Sequence, residues 1–326
     1  MTVVLGGGGV GKTTLLSAIA ATRPGHCSVL QPLTDPSRLE RGFAVADWRL
    51  DDEDPARPHP LQVASPNAAL DEPEELSRLR RKECALFDKQ ASDEGGFALV
   101  AISGARWFSH QHVALASPTR TVLRYDVKGS APFDDATRAD LTRDVKQALA
   151  YAAISGAIAS RAEARLSQAA ALAVELEAAM RTAVDLLTTL AGFRYLGIDA
   201  ASLEPTFESP HGELITFGLL PGSVRHLASF GALAVRALFA AFPDRDPRAA
   251  QGVVLIDDAA LHLDVAAQRG LPGALRSALP RVQWILATTS HELASGCESS
   301  DEVVALRRMP ESRRVELYEG EQATLH

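Results

Sequence analysis

The sequence predicts an α/β fold with a mixed, mostly parallel central sheet, and three observations support this fold class. Short apolar segments alternate with helical segments at the start of the chain and again over its last third. A run of glycines joins the first apolar segment to the first helix, and a later apolar segment ends in two aspartates. Strands that alternate with helices form parallel sheets, which bind ligands beyond the carboxyl ends of their strands.

The glycine run is typical of a loop that binds phosphate groups. Apolar residues 3–5 lead into GGGGVGKT, which fits the pattern of Gly, any four residues, then Gly-Lys-Ser/Thr, and residues 14–21 continue as a helix. In such a loop the backbone N–H groups point at an anion, Lys12 reaches the outer phosphates and the Thr13 hydroxyl binds Mg²⁺. The residues expected to bind a nucleoside triphosphate are Gly6, Gly7, Gly8, Gly9, Val10, Gly11, Lys12, Thr13 and Thr14.

Composition limits the class of protein. The chain has 326 residues and a net charge of −8, so it does not resemble a basic protein that coats nucleic acid, and any DNA contact needs a local patch or a partner. Its three cysteines form no C-x-x-C pair, which argues against a disulfide framework or a structural zinc site. We find no signal peptide and no apolar run of membrane-spanning length, so we expect a cytoplasmic protein without a membrane contact.

The other elements follow in chain order. Residues 2–30 are predicted as strand, loop, helix and strand. Between them and the middle of the chain, the predicted elements are strands at 43–50 and 61–64, a charged helix at 74–90, and strands at 97–102 and 121–125. In the last third they are a strand at 214–217, a helix at 223–242, strands at 253–256 and 284–287, and a hairpin of 303–306 with 314–317.

The middle of the chain is predicted to be helical, because residues 134–190 are rich in alanine and nearly free of Gly and Pro. Apolar residues there recur in steps of three and four, at Leu166, Ala169, Ala173, Leu176, Met180, Ala183, Leu187 and Leu190. This pattern fits either a long helix packed on its own domain or a short helical arm against a partner, and it does not decide between them.

The apolar segment VVLI ends in Asp257 and Asp258. Buried strands of parallel sheets are continuously apolar, and acidic residues at their carboxyl ends face the ligand. We expect Asp257 to hold Mg²⁺ through water and Asp258 to polarise the attacking water.

The residues around this acidic pair carry a family resemblance. LIDDAALHLD resembles the Walker B motif and D-loop of ATP-binding-cassette ATPases of the RecF, SMC and OLD type, and ILATTSHEL resembles their switch strand. The resemblance spans nearly the whole chain and implies a P-loop NTPase fold of the ABC-ATPase type, with one domain over residues 1–326 and a helical insertion or arm at 134–192. It also implies ATP and Mg²⁺ as cofactors, and it makes His291 the switch histidine that senses the γ-phosphate.

The resemblance further implies a signature motif, which binds the γ-phosphate held by a partner subunit. Gly222, Ser223 and Arg225 resemble it at the predicted start of the long helix, whereas LASFG at residues 227–231 keeps the Ser-x-Gly order but falls inside the helix. Only a helix N-terminus has free N–H groups for an anion, so we assign the signature to Gly222, Ser223 and Arg225.

Three features depart from the family. The chain starts at the strand of the phosphate loop, without the usual upstream hairpin near the adenine, which leaves base specificity open. Asp258 replaces the usual Glu and is one methylene shorter, so we expect slow turnover. The Q-loop is not assigned, and Gln62 and Gln147 are candidates for it.

The resemblance therefore predicts an ATPase that forms an ATP-dependent homodimer and controls a separate effector, in DNA repair, phage defence or another pathway. Two other classes share GGVGKTT. ParA/MinD proteins have a lysine where this chain has Gly7, and NB-ARC-type switches place their acidic strand far closer to the loop than 245 residues. A nucleotide-gated scaffold of the NB-ARC type and a non-hydrolysing, ATP-dependent interaction subunit remain alternatives.

Overall fold

The structure, a computed structural model, describes residues 1–22, 44–48, 61–65, 74, 77–78, 98–113, 115, 139–161, 167–311 and 314–324. The strands are β1 (Thr2–Gly6), β2 (Val45–Trp48), β3 (Leu61–Ala64), β4 (Ala98–Ile102), β5 (Arg194–Ile198), β6 (Pro205–Glu208), β7 (Leu214–Thr216), β8 (Gly252–Ile256), β9 (Val282–Thr288), β10 (Val303–Arg308) and β11 (Val315–Glu319). The helices are α1 (Lys12–Ala21), α2 (Thr142–Ala159), α3 (Gln168–Thr188), α4 (Gly222–Ala241), α5 (Val265–Ala278), α6 (His291–Ser295) and α7 (Glu321–Thr324).

A six-stranded sheet in the order β11-β10-β1-β9-β8-β4 organises the protein. Its strands pair in parallel except for the β10–β11 hairpin, which is antiparallel. The mixed, mostly parallel sheet predicted from the sequence is therefore confirmed. Strand β1 lies between β9 and β10, so the phosphate loop opens at the middle of the carboxyl edge, and β8 with its aspartates lies two strands away.

Both faces of this sheet are covered, which explains why its strands are apolar throughout. Val3 and Leu5 point into a core shared with α3 and α4. Val4 points to the opposite face, into a second core with Leu16 of α1 and Trp48 of β2. Burial on both faces fixes the register of β1 and with it the position of the loop that follows.

Helix α3 packs within the protein through most of the described heptad positions. The buried positions are Leu176, Met180, Ala183 and Leu187. Helix α4 approaches so closely that a Cβ added at Gly231 would lie 3.1 Å from the Ala183 carbonyl carbon. These contacts favour packing on its own domain over an arm against a partner. The division into one domain over 1–326 with an insertion at 134–192 stays a prediction, and Leu166 lies outside the described residues.

Some elements differ from those predicted. Strands β5, β6 and β7 form a separate antiparallel sheet, of which only the last strand was predicted. The strands predicted at 43–50 and 61–64 are confirmed as β2 and β3, which pair antiparallel, and the predicted β10–β11 hairpin is also confirmed. The strand predicted at 121–125, the end of the segment 2–30 and most of the helix predicted at 74–90 lie outside the described residues.

Helix α4 corrects one expectation about apolar runs. The helix has 20 residues, and an 18-residue window of it has a mean hydropathy of 1.3, so by length and composition alone it could cross a membrane, whereas the sequence analysis found no such run. In the structure 67% of this window is buried, and the helix packs against α3 and β4. A helix that is apolar on most of its surface is typical of a protein core as well as of a membrane span, and the contacts of α4 are those of a core helix.

Candidate nucleotide site

The phosphate loop has the backbone that its glycines permit. Gly9 and Gly11 have φ angles of 71° and 98°, in the left-handed region that favours glycine. A Cβ added at Gly6 would lie 2.7 Å from the Leu306 carbonyl oxygen, so the loop leaves the sheet against β10 at a position that only glycine fits. Helix α1 begins at Lys12 and its N-terminus faces the loop. The loop and helix therefore have the form predicted for binding phosphate.

Lys12 and Thr13 are held at the start of α1 by defined partners. The Lys12 ammonium donates to the carbonyl oxygens of Gly6 and Gly7, each at 2.9 Å, and the side chain is buried. The Thr13 hydroxyl donates to Oδ2 of Asp257 at 2.8 Å. The structure thus brings the phosphate loop and the acidic strand end together, as the sequence predicts.

Asp257 offers the donor set that a magnesium ion requires. Its carboxylate is buried, Oδ2 accepts from Thr13, and Oδ1 has no hydrogen-bond partner. Burial raises the pKa of Asp257, an effect that the hydrogen bond from Thr13 opposes. A buried carboxylate oxygen without a partner, beside a hydroxyl, fits a hard divalent cation with oxygen ligands. The residues that would hold Mg²⁺ are therefore Thr13 and Asp257.

Asp258 lies beside Asp257 in a tight turn. Its φ angle is 45°, an unusual conformation for a residue other than glycine, and its side chain is exposed. A Cβ added at Gly104, which follows β4, would lie 3.0 Å from Asp258 Oδ2 and 3.1 Å from Asp257 Oδ2. Both carboxylates therefore face the backbone of Gly104, and a larger residue there would press on them.

Arg106 is a site residue that the sequence analysis missed. It is buried, and its guanidinium donates to the carbonyl oxygens of Asp257 at 2.6 Å, Asp258 at 2.8 Å and Ser103 at 3.0 Å. Burial lowers its pKa to about 10, so it stays a cation at neutral pH. The signal that could have found it is its place just after a strand predicted at 97–102, whose carboxyl end lies at the ligand edge.

His291 lies at the N-terminus of α6, directly after β9. The preceding Ser290 caps this helix by accepting from the Leu293 N–H at 3.2 Å, and its hydroxyl donates to Gln268 of α5 at 2.5 Å. His291 is exposed and lines a cavity of about 320 Å³ together with Gly6, Gly7 and Arg307. The predicted switch histidine therefore shares a cavity with the start of the phosphate loop.

Gly222, Ser223 and Arg225 occupy the first turn of α4, after Pro221 as N-cap. No hydrogen bond joins these three residues to the phosphate loop within the part of the chain that the structure describes. A Cβ added at Gly222 would instead lie 3.9 Å from His262 of the predicted D-loop. The guanidinium of Arg225 stacks over the Phe108 ring at 5.2 Å, and its buried Nε has no hydrogen-bond partner.

The competing LASFG segment has a structural role. The Ser229 hydroxyl donates to the Arg225 carbonyl oxygen at 2.6 Å inside α4, and Gly231 is the close crossing point with α3. Both residues are fully buried in the helix, where no free N–H groups exist. The geometry therefore favours Gly222 and Ser223 as the anion-facing pair.

One further finding concerns a residue near the loop. Arg308 at the end of β10 donates to the Gly9 carbonyl oxygen at 2.7 Å, a contact that the sequence analysis did not predict.

The two glutamines considered for the Q-loop lie elsewhere. Gln62 lies in the β2–β3 hairpin, where it donates to Asp47 at 3.1 Å, and Gln147 lies in α2. Neither glutamine follows a strand of the central sheet, so the Q-loop stays unassigned.

Comparison with known proteins gives likenesses among solved structures. No protein-family model matches the sequence, and no curated protein matches it. An SMC head bound to the C-winged helix domain of ScpA is 12% identical, with a TM-score of 0.49, over 99% of this chain and 91% of that one. The SMC head domain from Thermotoga maritima is 11% identical, with a TM-score of 0.47, over 98% and 90%.

A third solved structure is the Pyrococcus furiosus Smc head with an extended coiled coil, bound to the C-terminal domain of ScpA. It is 14% identical, with a TM-score of 0.46, over 98% of this chain and 90% of that one. The α/β fold of this chain is established by its own features, which are the strand order of the sheet, the phosphate loop and the Thr13–Asp257 contact. Each of these three solved structures is the head domain of an SMC protein.

Proposed function

We propose that the protein binds and hydrolyses ATP as an ABC-type ATPase and acts as an ATP-gated dimer. The observation that carries this proposal is the partly buried hydrogen bond between Thr13 and Asp257, which unites the loop and the acidic strand end at one sheet edge. The loop N–H groups and Lys12 would bind the triphosphate, and Mg²⁺ held by Thr13 and Asp257 would neutralise its charge. Asp258 would accept a proton from the attacking water.

The dimer is proposed because the phosphate loop, Asp257 and His291 would surround the triphosphate on one side only. Gly222, Ser223 and Arg225 lie together on the first turn of α4, next to the D-loop rather than the phosphate loop of the same chain. In a two-fold dimer this turn would face the γ-phosphate on the partner subunit, where its N–H groups and the positive charge of Arg225 favour an anion. ADP lacks that phosphate, so hydrolysis would loosen the dimer.

From the family resemblance we also propose a separate effector protein, in DNA repair, phage defence or another pathway. The cytoplasmic location is a further proposal, and it comes from the sequence analysis rather than from the resemblance.

The proposal is tested with the wild-type chain. Phosphate release is measured with ATP and Mg²⁺ across a range of protein concentrations, with and without DNA, and mass is measured by light scattering with ATP and with ADP. We expect turnover per chain to rise with protein concentration, and a dimer with ATP only. Binding of ATP and dimerisation without hydrolysis would indicate the non-hydrolysing interaction subunit. Tightly retained ADP without ATP-dependent dimerisation would favour the NB-ARC type of switch.

A further inference from the structure

Arg106 connects the Asp257–Asp258 turn with helix α4, whose first turn is the proposed signature. In the proposed dimer these two parts act on different nucleotides. Arg106 donates through Nη1 and Nη2 to the carbonyl oxygens of Asp257 and Asp258, at 2.6 and 2.8 Å. These two carbonyls belong to the turn that presents both carboxylates. Because Asp258 holds an uncommon φ of 45°, the turn depends on contacts that fix its backbone.

The remaining Arg106 donor reaches the signature helix. Its Nε donates to Nδ1 of His226 at 2.7 Å, and the guanidinium stacks on Phe230 of the same helix at 5.1 Å. His226 is 2% exposed, so this hydrogen bond is sheltered from water. A hydrogen bond in such surroundings is strong when made and costly when lost.

His226 in turn lies on the face of α4 that carries the anion-binding turn. Gly222 and His226 are four residues apart and therefore share one face of the helix. The His226 ring stacks on the His262 ring at 5.1 Å between centroids and 18° between planes, and Gly222 lies against the same ring. A shift of the first turn of α4 or of the D-loop would therefore reach Arg106 through packed atoms.

We propose that Arg106 is a positioning residue through which the state of the signature helix sets the geometry of the Asp257–Asp258 turn. In the dimer, the signature helix of one subunit contacts the nucleotide of the other. When the nucleotide of the other subunit binds this helix, the resulting shift of the helix moves Arg106 and changes the position of the Asp257 and Asp258 carboxylates in the first subunit. The two nucleotide sites are then energetically coupled. This inference rests on the proposed function, because it needs a second subunit at Gly222 and Ser223.

Two substitutions at His226 separate the hydrogen bond from the ring stack. His226→Phe keeps an aromatic ring against His262 but removes the acceptor for Arg106. His226→Asn removes the ring but keeps an acceptor at the δ position. Each variant is compared with wild type for kcat, affinity for a non-hydrolysable ATP analogue, and Hill coefficient for ATP.

We expect His226→Phe to lower kcat by about tenfold, within the range of typical coupling free energies, and to bring the Hill coefficient toward one. The affinity of His226→Phe for the ATP analogue should equal that of wild type. The variant His226→Asn should keep the wild-type kcat and the wild-type Hill coefficient. Arg106→Lys, which cannot form the planar fork, should resemble His226→Phe.

The inference is overturned if His226→Phe keeps the wild-type rate and cooperativity, or if the two His226 variants lose them equally. It is also overturned if nucleotide affinity falls in parallel with kcat, since that indicates a merely structural role. The proposed function has a separate control. If wild type does not hydrolyse ATP, or Lys12→Ala hydrolyses it equally well, the ATPase assignment fails whatever the His226 variants do.

Discussion

The Thr13 hydroxyl donates to Oδ2 of Asp257 at 2.8 Å, although the two residues are 244 positions apart. The contact exists because β1 and β8 are parallel strands of one sheet, so both end at the same edge. The other carboxylate oxygen, Oδ1 of Asp257, is buried and has no hydrogen-bond partner. The pair of Thr13 and Asp257 defines where the nucleotide site lies.

Lys12→Ala should abolish nucleotide binding and leave the fold intact. The Lys12 ammonium lies on the loop, where it donates to the carbonyl oxygens of Gly6 and Gly7, and it is the lysine that the phosphate-loop pattern directs at the outer phosphates. Isothermal titration with a non-hydrolysable ATP analogue measures the loss, and circular dichroism checks the fold. Arg194→Ala, which removes an exposed charge on β5, is the matched control. Unchanged affinity in Lys12→Ala would remove Lys12 from the site.

Asp258→Asn should keep ATP binding and lose hydrolysis. The amide has nearly the same shape as the carboxylate but accepts a proton far less well, and the Asp258 side chain is exposed directly after β8. Single-turnover hydrolysis and equilibrium binding are measured side by side. Asp199→Asn, in an exposed turn after β5, is the control. Hydrolysis at the wild-type rate would show that Asp258 does not orient the water.

Ser223→Arg should prevent ATP-dependent dimerisation. Ser223 lies in the first turn of α4, where a long cation would fill the space left for a phosphate group of the partner. Light scattering is carried out in the Asp258→Asn background, so that bound ATP is retained, and with ADP for comparison. Ser202→Arg, in the exposed turn between β5 and β6, controls for the added charge. A dimer that still forms with ATP in Ser223→Arg contradicts the two-fold arrangement.

Steady-state turnover should be slow, below the enzyme median of about 10 s⁻¹. Asp258 is shorter than the Glu of the resembling ATPases, and the signature residues lie away from the phosphate loop of their own chain. Asp258→Glu should therefore raise kcat if the water is poorly reached. Fast turnover that does not depend on protein concentration would contradict both reasons.

Stability should fall as the pH is lowered from 7 to 5, in part through His226. Burial lowers the pKa of His226 to about 3, and the charges of Arg106, His262 and Arg225 add to this effect. The unfolded chain, with an ordinary histidine pKa near 6.5, takes up the proton first, so stability is lost as pH falls below that value.

The expected contribution of His226 is about 2 kcal/mol between pH 7 and pH 5. Urea unfolding at the two pH values measures it, and the drop should be smaller by that amount in His226→Phe. An equal drop in wild type and His226→Phe would show that His226 is not kept neutral by the fold. The comparison uses the difference between pH values, so a uniform destabilisation of the variant does not affect it.

The sequence predicted the parts of the site that local pattern determines. The phosphate loop, the acidic end of β8 and the start of α4 each follow from residue types within a few positions, and the structure has all three. Arg106 could not be predicted in the same way, because its partners Asp257, Asp258 and His226 are more than a hundred residues away. The β5–β7 sheet was largely missed because its short strands have little periodicity to distinguish them.

The position of β1 between β9 and β10 has a consequence for biosynthesis. Both neighbours of β1 follow it in the chain by at least 276 residues, the separation between Gly6 and Val282. At synthesis rates of roughly 5–20 residues per second, the first strand would wait on the order of tens of seconds before either neighbour is made. The nucleotide site, although its loop follows the first strand directly, is therefore completed only after β8, β9 and β10 have all been made.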